Sequence, residues 1–123
     1  MRKLQIEWYG YFPFEERVIR NKVYDRAGIY KISKKHKDGS LKPFFIGHAD
    51  GIKMKLLEHV TSTDDSCVTR ELKEGECQFR FAYLYTREDI IAVKKALCVR
   101  YTPKCNVKEE IPAEAEEVEI NYN

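Results

Sequence analysis

The sequence has no apolar run near the ~20 residues that a membrane-spanning helix needs. Its opening stretch, Met1 to Gly10, places charges where a signal peptide has its apolar centre. These absences predict a cytoplasmic protein with no role for a membrane. Cysteine is scarce, and its four copies are irregularly placed, with nine residues between Cys67 and Cys77 and six between Cys98 and Cys105. Neither a disulfide framework nor the short C-x2-4-C knuckle of a zinc site has that spacing, so reduced, half-buried thiols are expected. Glycine (6 residues) and proline (4 residues) are few, and there is no internal repeat.

What is present describes one compact domain. Of 123 residues, 43% are hydrophobic and 34% charged. A chain of this size buries roughly two-thirds of the surface its unfolded form exposes, so it can build a core without staples or an obligatory metal. The net charge of +2 conceals a segregation, because the last stretch from Val107 holds six glutamates against Lys108 alone. Removing that stretch leaves 21 of the 22 basic and 14 of the 20 acidic residues in Met1 to Asn106, a balance of +7. A basic body suits a polyanionic partner, and equally suits solubility.

Three segments follow: an aromatic extension over residues 1–26, a domain over 27–106, and an acidic tail over 107–123. Trp8, Tyr9, Tyr11, Phe12 and Phe14 read as a lid on a small core, followed by a short helix or turn at Glu15 to Ile19. Ile29, Tyr30 and Ile32 predict a strand, Asp38-Gly39 a hairpin turn, and Leu41 to Gly47 its partner strand. Ile52, Leu56, Leu57 and Val60 recur at helical spacing behind Asp50 as N-cap, and a second short helix runs from about Ser66 to Glu74. Cys77, Phe79, Phe81 and Tyr83 alternate as a third strand. A last helix begins after Thr86, buries Ile90, Val93 and Leu97, and stops before Pro103. The acidic tail is expected to be mobile or only partly docked, with a second reading in which it covers the basic face and competes with nucleic acid.

Gly28-Ile29-Tyr30, then Phe45-Ile46-Gly47, then a closing Pro103-Lys104-Cys105-Asn106 resemble the signature of the GIY-YIG nuclease domain over about Ala27 to Asn106. The aromatic lead-in from Trp8 to Phe14 is similar to that of stand-alone members. The resemblance implies an α+β fold with a mainly antiparallel three-stranded sheet flanked by helices. It also implies metal-assisted phosphodiester hydrolysis, with Tyr30 as the first tyrosine of the signature and His59 at a His or Tyr position facing the groove.

Three of the implied parts are replaced. Phe45 stands where the second tyrosine would orient or deprotonate water, and it has no hydroxyl to do so. Lys55 stands for the arginine eight residues after Gly47 and keeps its charge without the bidentate fork. Lys94 stands for the metal-binding glutamate, and an ammonium gives a divalent ion no lone pair. His48 follows Gly47 and could touch phosphate or be structural. Lys53, Lys55, His59, Lys94 and Lys95 would then surround the groove with cations, although Lys53 and Lys95 taken singly read as solvated surface lysines.

The leading expectation is therefore a pseudoenzyme, not a working enzyme. It binds nucleic acid, DNA before RNA, or another phosphate-bearing partner through Tyr30, Phe45, His48, Lys55, His59 and Lys94, with no metal. The alternative is an active Mg²⁺-dependent endonuclease with Tyr30 or His59 as base and Glu58 as ligand. A second alternative is a protein-interaction module built on the aromatics around Trp8 and Phe14, with a protein partner.

Overall fold

A computed structural model describes residues 1–107, 111, 112 and 114–122. In chain order the elements are β1 (Arg2–Leu4), β2 (Tyr9–Pro13), α1 (Glu16–Lys22), β3 (Gly28–Lys35), β4 (Leu41–Ala49), α2 (Ile52–Thr61), α3 (Cys67–Glu74), β5 (Cys77–Tyr83), α4 (Arg87–Tyr101) and β6 (Val118–Ile120). The main sheet has four strands in the order β2-β5-β3-β4, all antiparallel, rather than the expected three. The additional strand is the aromatic lead-in, which pairs Tyr9 with Phe81 and Phe12 with Phe79 while Phe12, Phe14 and Trp8 pack against the core. Its register shifts between Gly10 and Phe12, so the period of two in Tyr9 and Tyr11 changes phase at Phe12 and Phe14 and does not mark one continuous strand in sequence. No helix among the described residues is long and apolar enough to cross a membrane.

Central β3 is covered on both faces. On one, Tyr30, Ile32, Phe79 and Phe81 pack against Ile19 of α1, Ile52 and Leu56 of α2 and Val68 of α3. On the other, Ile29, Ile46 and Ala82 pack against Val93 and Leu97 of α4 and against Ile6, Val118 and Ile120. Lys31 and Arg80 are register partners on that second face. The Lys31 ammonium lies over Tyr101 and Tyr11 (4.7 and 5.3 Å), and the Arg80 guanidinium over Tyr11 and Trp8 (5.2 and 5.4 Å). Cation–π contact compensates part of the desolvation of Lys31, only 1% exposed.

Two further expectations are corrected, and the partial docking expected of the tail takes a definite form. Cys67 and Cys105 form a disulfide, and Cys77 and Cys98 lie outside it; a pairing across 38 residues has no local sequence signal. The acidic tail is docked at its end, because β6 pairs in parallel with β1 and buries Val118 and Ile120 while Glu119 points out. The Lys95 ammonium holds the Ala115 carbonyl at 2.9 Å and Arg2 holds Glu116 at 2.7 Å, so burial and pairing outweigh the solvation of the tail's charges. Finally, Gly51 and not Asp50 is the N-cap of α2. Asp25 supplies the missing acceptor, taking the Met54 N–H at 3.1 Å from across the fold.

Candidate functional site

Two glycines of the signature are required by close approach. A Cβ on Gly47 would stand 2.2 Å from the Tyr30 ring, and one on Gly28 would stand 2.2 Å from the Ala82 carbonyl oxygen. The bare backbone of Gly47 therefore lets the Tyr30 side chain lie across β4 and reach α2, with Tyr30 and Gly47 paired in register. There the Tyr30 hydroxyl meets His59 Nε2 at 2.8 Å. Phe45 closes the group, its ring centroid 6.1 Å from that of Tyr30 and 5.4 Å from that of His59.

Burial, and then the nearby Lys55 charge, push the His59 pKa below its ordinary 6.5, against smaller opposing effects of Glu58 and Asp64. His59 is thus neutral at pH 7, and in the tautomer protonated on Nδ1 its Nε2 accepts the Tyr30 phenolic proton. One helical turn before His59, Lys55 is half exposed and paired with Glu58 at 3.2 Å. His59 also lines a cavity of about 210 Å³ between α2 and α3, with Phe14, Thr69 and Cys77 among its walls.

His48 and Lys94 meet on the other side of β4. His48 pairs in register with Ile29, whereas the neighbouring Gly47 pairs with Tyr30, so the two positions face opposite sides of the sheet. Lys94 projects from α4, is buried at 4% exposure, and donates from Nζ to His48 Nδ1 at 3.2 Å. The candidate residues therefore fall into two groups flanking the same edge strand: Tyr30, Phe45, Lys55 and His59 on the α2 side, and His48 with Lys94 on the α4 side. Lys53 lies outside both, donating to the Arg20 carbonyl at 3.1 Å, and Lys95 is occupied by the tail.

A feature that sequence reasoning missed is the clamp on this strand. The Cys105 N–H donates to the Phe44 carbonyl at 2.9 Å, and the Asn106 side chain accepts from Ile46 N and donates to Ile46 O, both at 2.8 Å. The closing Pro103 to Asn106 segment thus fixes β4 on both sides of Phe45 and satisfies its outer edge. The disulfide to α3 anchors the segment, as do Lys104 with Glu71 at 2.5 Å and Lys34 with the same carboxylate. Only the Pro-x-x-Asn spacing hinted at this arrangement.

A hard divalent cation needs several oxygen ligands. Among the described residues no three His, Cys, Asp or Glu side chains are grouped to hold a metal. Glu58 is engaged by Lys55, and the Lys94 ammonium is a cation itself, so the residues described do not fit such an ion.

No family model matches the chain, and no curated protein matches it. Solved structures do. The GIY-YIG N-terminal endonuclease domain of UvrC from Thermotoga maritima, bound to its catalytic divalent cation magnesium, superposes with a TM-score of 0.56 at 23% identity, over 72% of this chain and 96% of that one. Two point mutants of the same domain, each bound to its catalytic divalent cation, give TM-scores of 0.56 at 22% and 24% identity, over 73% and 72% of this chain and 96% of theirs. The chain therefore has the fold of the GIY-YIG endonuclease domain.

Proposed function

We propose that the protein binds nucleic acid, DNA before RNA, along the β4 edge and does not cut it. The observation that carries this reading is Lys94, a buried ammonium bonded to His48 at the position the sequence resemblance gives to a metal-binding glutamate. Its charge stands behind His48, while Lys55 offers a half-exposed ammonium beside neutral His59. Such an arrangement attracts phosphate without a metal, and Phe45 leaves one proton-handling position empty of a hydroxyl. A second reading, a metal-dependent endonuclease, draws on the Tyr30–His59 pair, whose 2.8 Å contact keeps one candidate base next to a phenol. The proposal keeps a cytoplasmic location, where the redox state of Cys67–Cys105 becomes a measurable property.

The test is a titration with labelled duplex, branched and single-stranded DNA and with RNA, in EDTA and then in Mg²⁺ or Mn²⁺. Binding without products is expected. Lys55→Gln should flatten the slope of log K against log salt by about 1, the change expected for one lost phosphate contact. Metal-dependent cleavage that disappears with His59→Ala would replace the proposal by the second reading.

A further inference from the structure

A second feature lies away from the β4 edge, where β2, the end of β5 and the loop after α1 enclose an open cleft of about 520 Å³. Its walls are tyrosine. Tyr85 is 80% exposed and Tyr24 is 66% exposed, and Tyr9 stands 5.8 Å from Tyr83 by ring centroids. The Arg26 guanidinium lies between two of these rings, 4.9 Å from Tyr24 and 5.6 Å from Tyr83, and Lys22 borders the same space. The cleft is held in shape, since the Tyr24 N–H donates to the Tyr83 hydroxyl at 2.8 Å and the Ile52 N–H donates to the Arg26 carbonyl at 3.0 Å.

Large aromatic rings exposed together mark a surface that meets a partner. The charge around them selects which. Two carboxylates line the cleft, but Asp89 is paired with Arg2 at 2.8 Å and Glu7 bonds the Tyr9 hydroxyl, whereas Arg26 presents its charge between the Tyr24 and Tyr83 rings and Lys22, its ammonium 5.7 Å from the Phe12 ring, borders the cleft. Flat π-faces next to a guanidinium and an ammonium suit unstacked bases joined by phosphates; a duplex keeps its base faces inside. We infer that this tyrosine cleft binds a single-stranded stretch of nucleic acid, stacking bases on Tyr24 and Tyr85 with phosphates on Arg26 and Lys22.

For its class of partner this inference rests on the nucleic-acid reading above. Tyr9, Phe81, Tyr30 and Gly47 are successive register partners across the sheet, with Phe81 and Tyr30 buried in the core between the two surfaces. The cleft and the β4 edge thus stand three strand spacings apart, about 14 Å, and the loop carrying Arg26 touches the first turn of α2, the helix that bears Lys55 and His59.

Fluorescence anisotropy with a labelled oligothymidylate and a labelled hairpin duplex tests this on the full chain. The double variant Tyr24→Ala/Tyr85→Ala, at exposed side chains, should bind oligothymidylate about tenfold or more weakly and the duplex within about twofold of the parent. The Phe versions of both positions should retain oligothymidylate binding, since they keep the rings. Unchanged oligothymidylate affinity in the Ala variant, or an equal loss on the duplex, overturns the inference. Lys55→Gln separates the two surfaces. If it weakens duplex binding while the tyrosine variant changes nothing, the cleft assignment falls and the β4-edge reading stands. If only the tyrosine variant matters, the β4-edge reading falls and the cleft remains.

Discussion

Replacing Cys67 and Cys105 by alanine removes a cross-link between residues 38 apart, joining the start of α3 to the segment that clamps β4. Closing a loop of that length removes unfolded-state entropy that corresponds to about 4 kcal/mol at 25 °C by the chain-entropy relation. Little of this should come from lost native contacts, because the Cys105 N–H to Phe44 bond, both Asn106 bonds to Ile46 and the Lys104–Glu71 pair do not involve the sulfurs. The expected result in urea is a fall of about 3–4 kcal/mol with a larger slope, since an uncross-linked unfolded chain exposes more surface. In a thermal scan, at about 4 °C per kcal/mol for a domain of this size, the midpoint should fall by about 15 °C. Reduction of the parent protein should reproduce the loss, because Cys77 and Cys98 are already thiols. A loss below about 1 kcal/mol would refute the entropic account, and four titratable thiols in the denatured, unreduced parent would refute the cross-link itself.

Three other predictions follow from the same geometry. Lys104 and then Lys34 hold the Glu71 carboxyl down to about 2 from its ordinary 4.5, so its stabilising contribution is complete above pH 4.5 and is lost as pH falls toward 2; Glu71→Gln should flatten that part of the stability–pH curve. His59 has a lowered pKa, so its unfolded form takes up a proton first and its contribution to stability is lost as pH falls through 6.5. An NMR titration should place the His59 midpoint below 6.5, and Lys55→Gln should raise it; no movement would remove Lys55 from the field at the site. Gly47→Ala drives a Cβ to 2.2 Å from the Tyr30 ring and should cost about 1–3 kcal/mol as that ring is displaced from His59; an unchanged denaturation midpoint would contradict the packing argument.

The parts of the fold legible in the sequence are those whose signals are local. Alternating Cys77, Phe79, Phe81 and Tyr83 announced β5, the Thr86 cap and the acids after it announced α4, and the Asp38-Gly39 turn announced the β3–β4 hairpin. What escaped depends on partners distant in sequence. β2 is a strand because β5 offers its edge, even though the register shift after Gly10 spoils its alternation. Val118-Glu119-Ile120 is too short and too acidic in context to stand out, yet β1 and α4 give its apolar pair a place to bury. Asp25 caps α2 through space where Asp50 looked nearer in sequence, and Cys67 finds Cys105 only once α3 and the clamp are side by side.

At the candidate site the same division separates residue identity from arrangement. The motif positions named Tyr30, Phe45, His48, Lys55, His59 and Lys94, but a motif match does not by itself say which face of β4 each one occupies. That distribution follows from period two, which sends Gly47 toward Tyr30 and His48 toward Lys94. It also bears on function: a buried Lys94 acts as a fixed charge behind His48, whereas half-exposed Lys55 can meet a phosphate directly. Substituting Lys55 should therefore change the salt dependence of binding, whereas substituting Lys94 should also disturb His48 and the packing of α4 on the sheet.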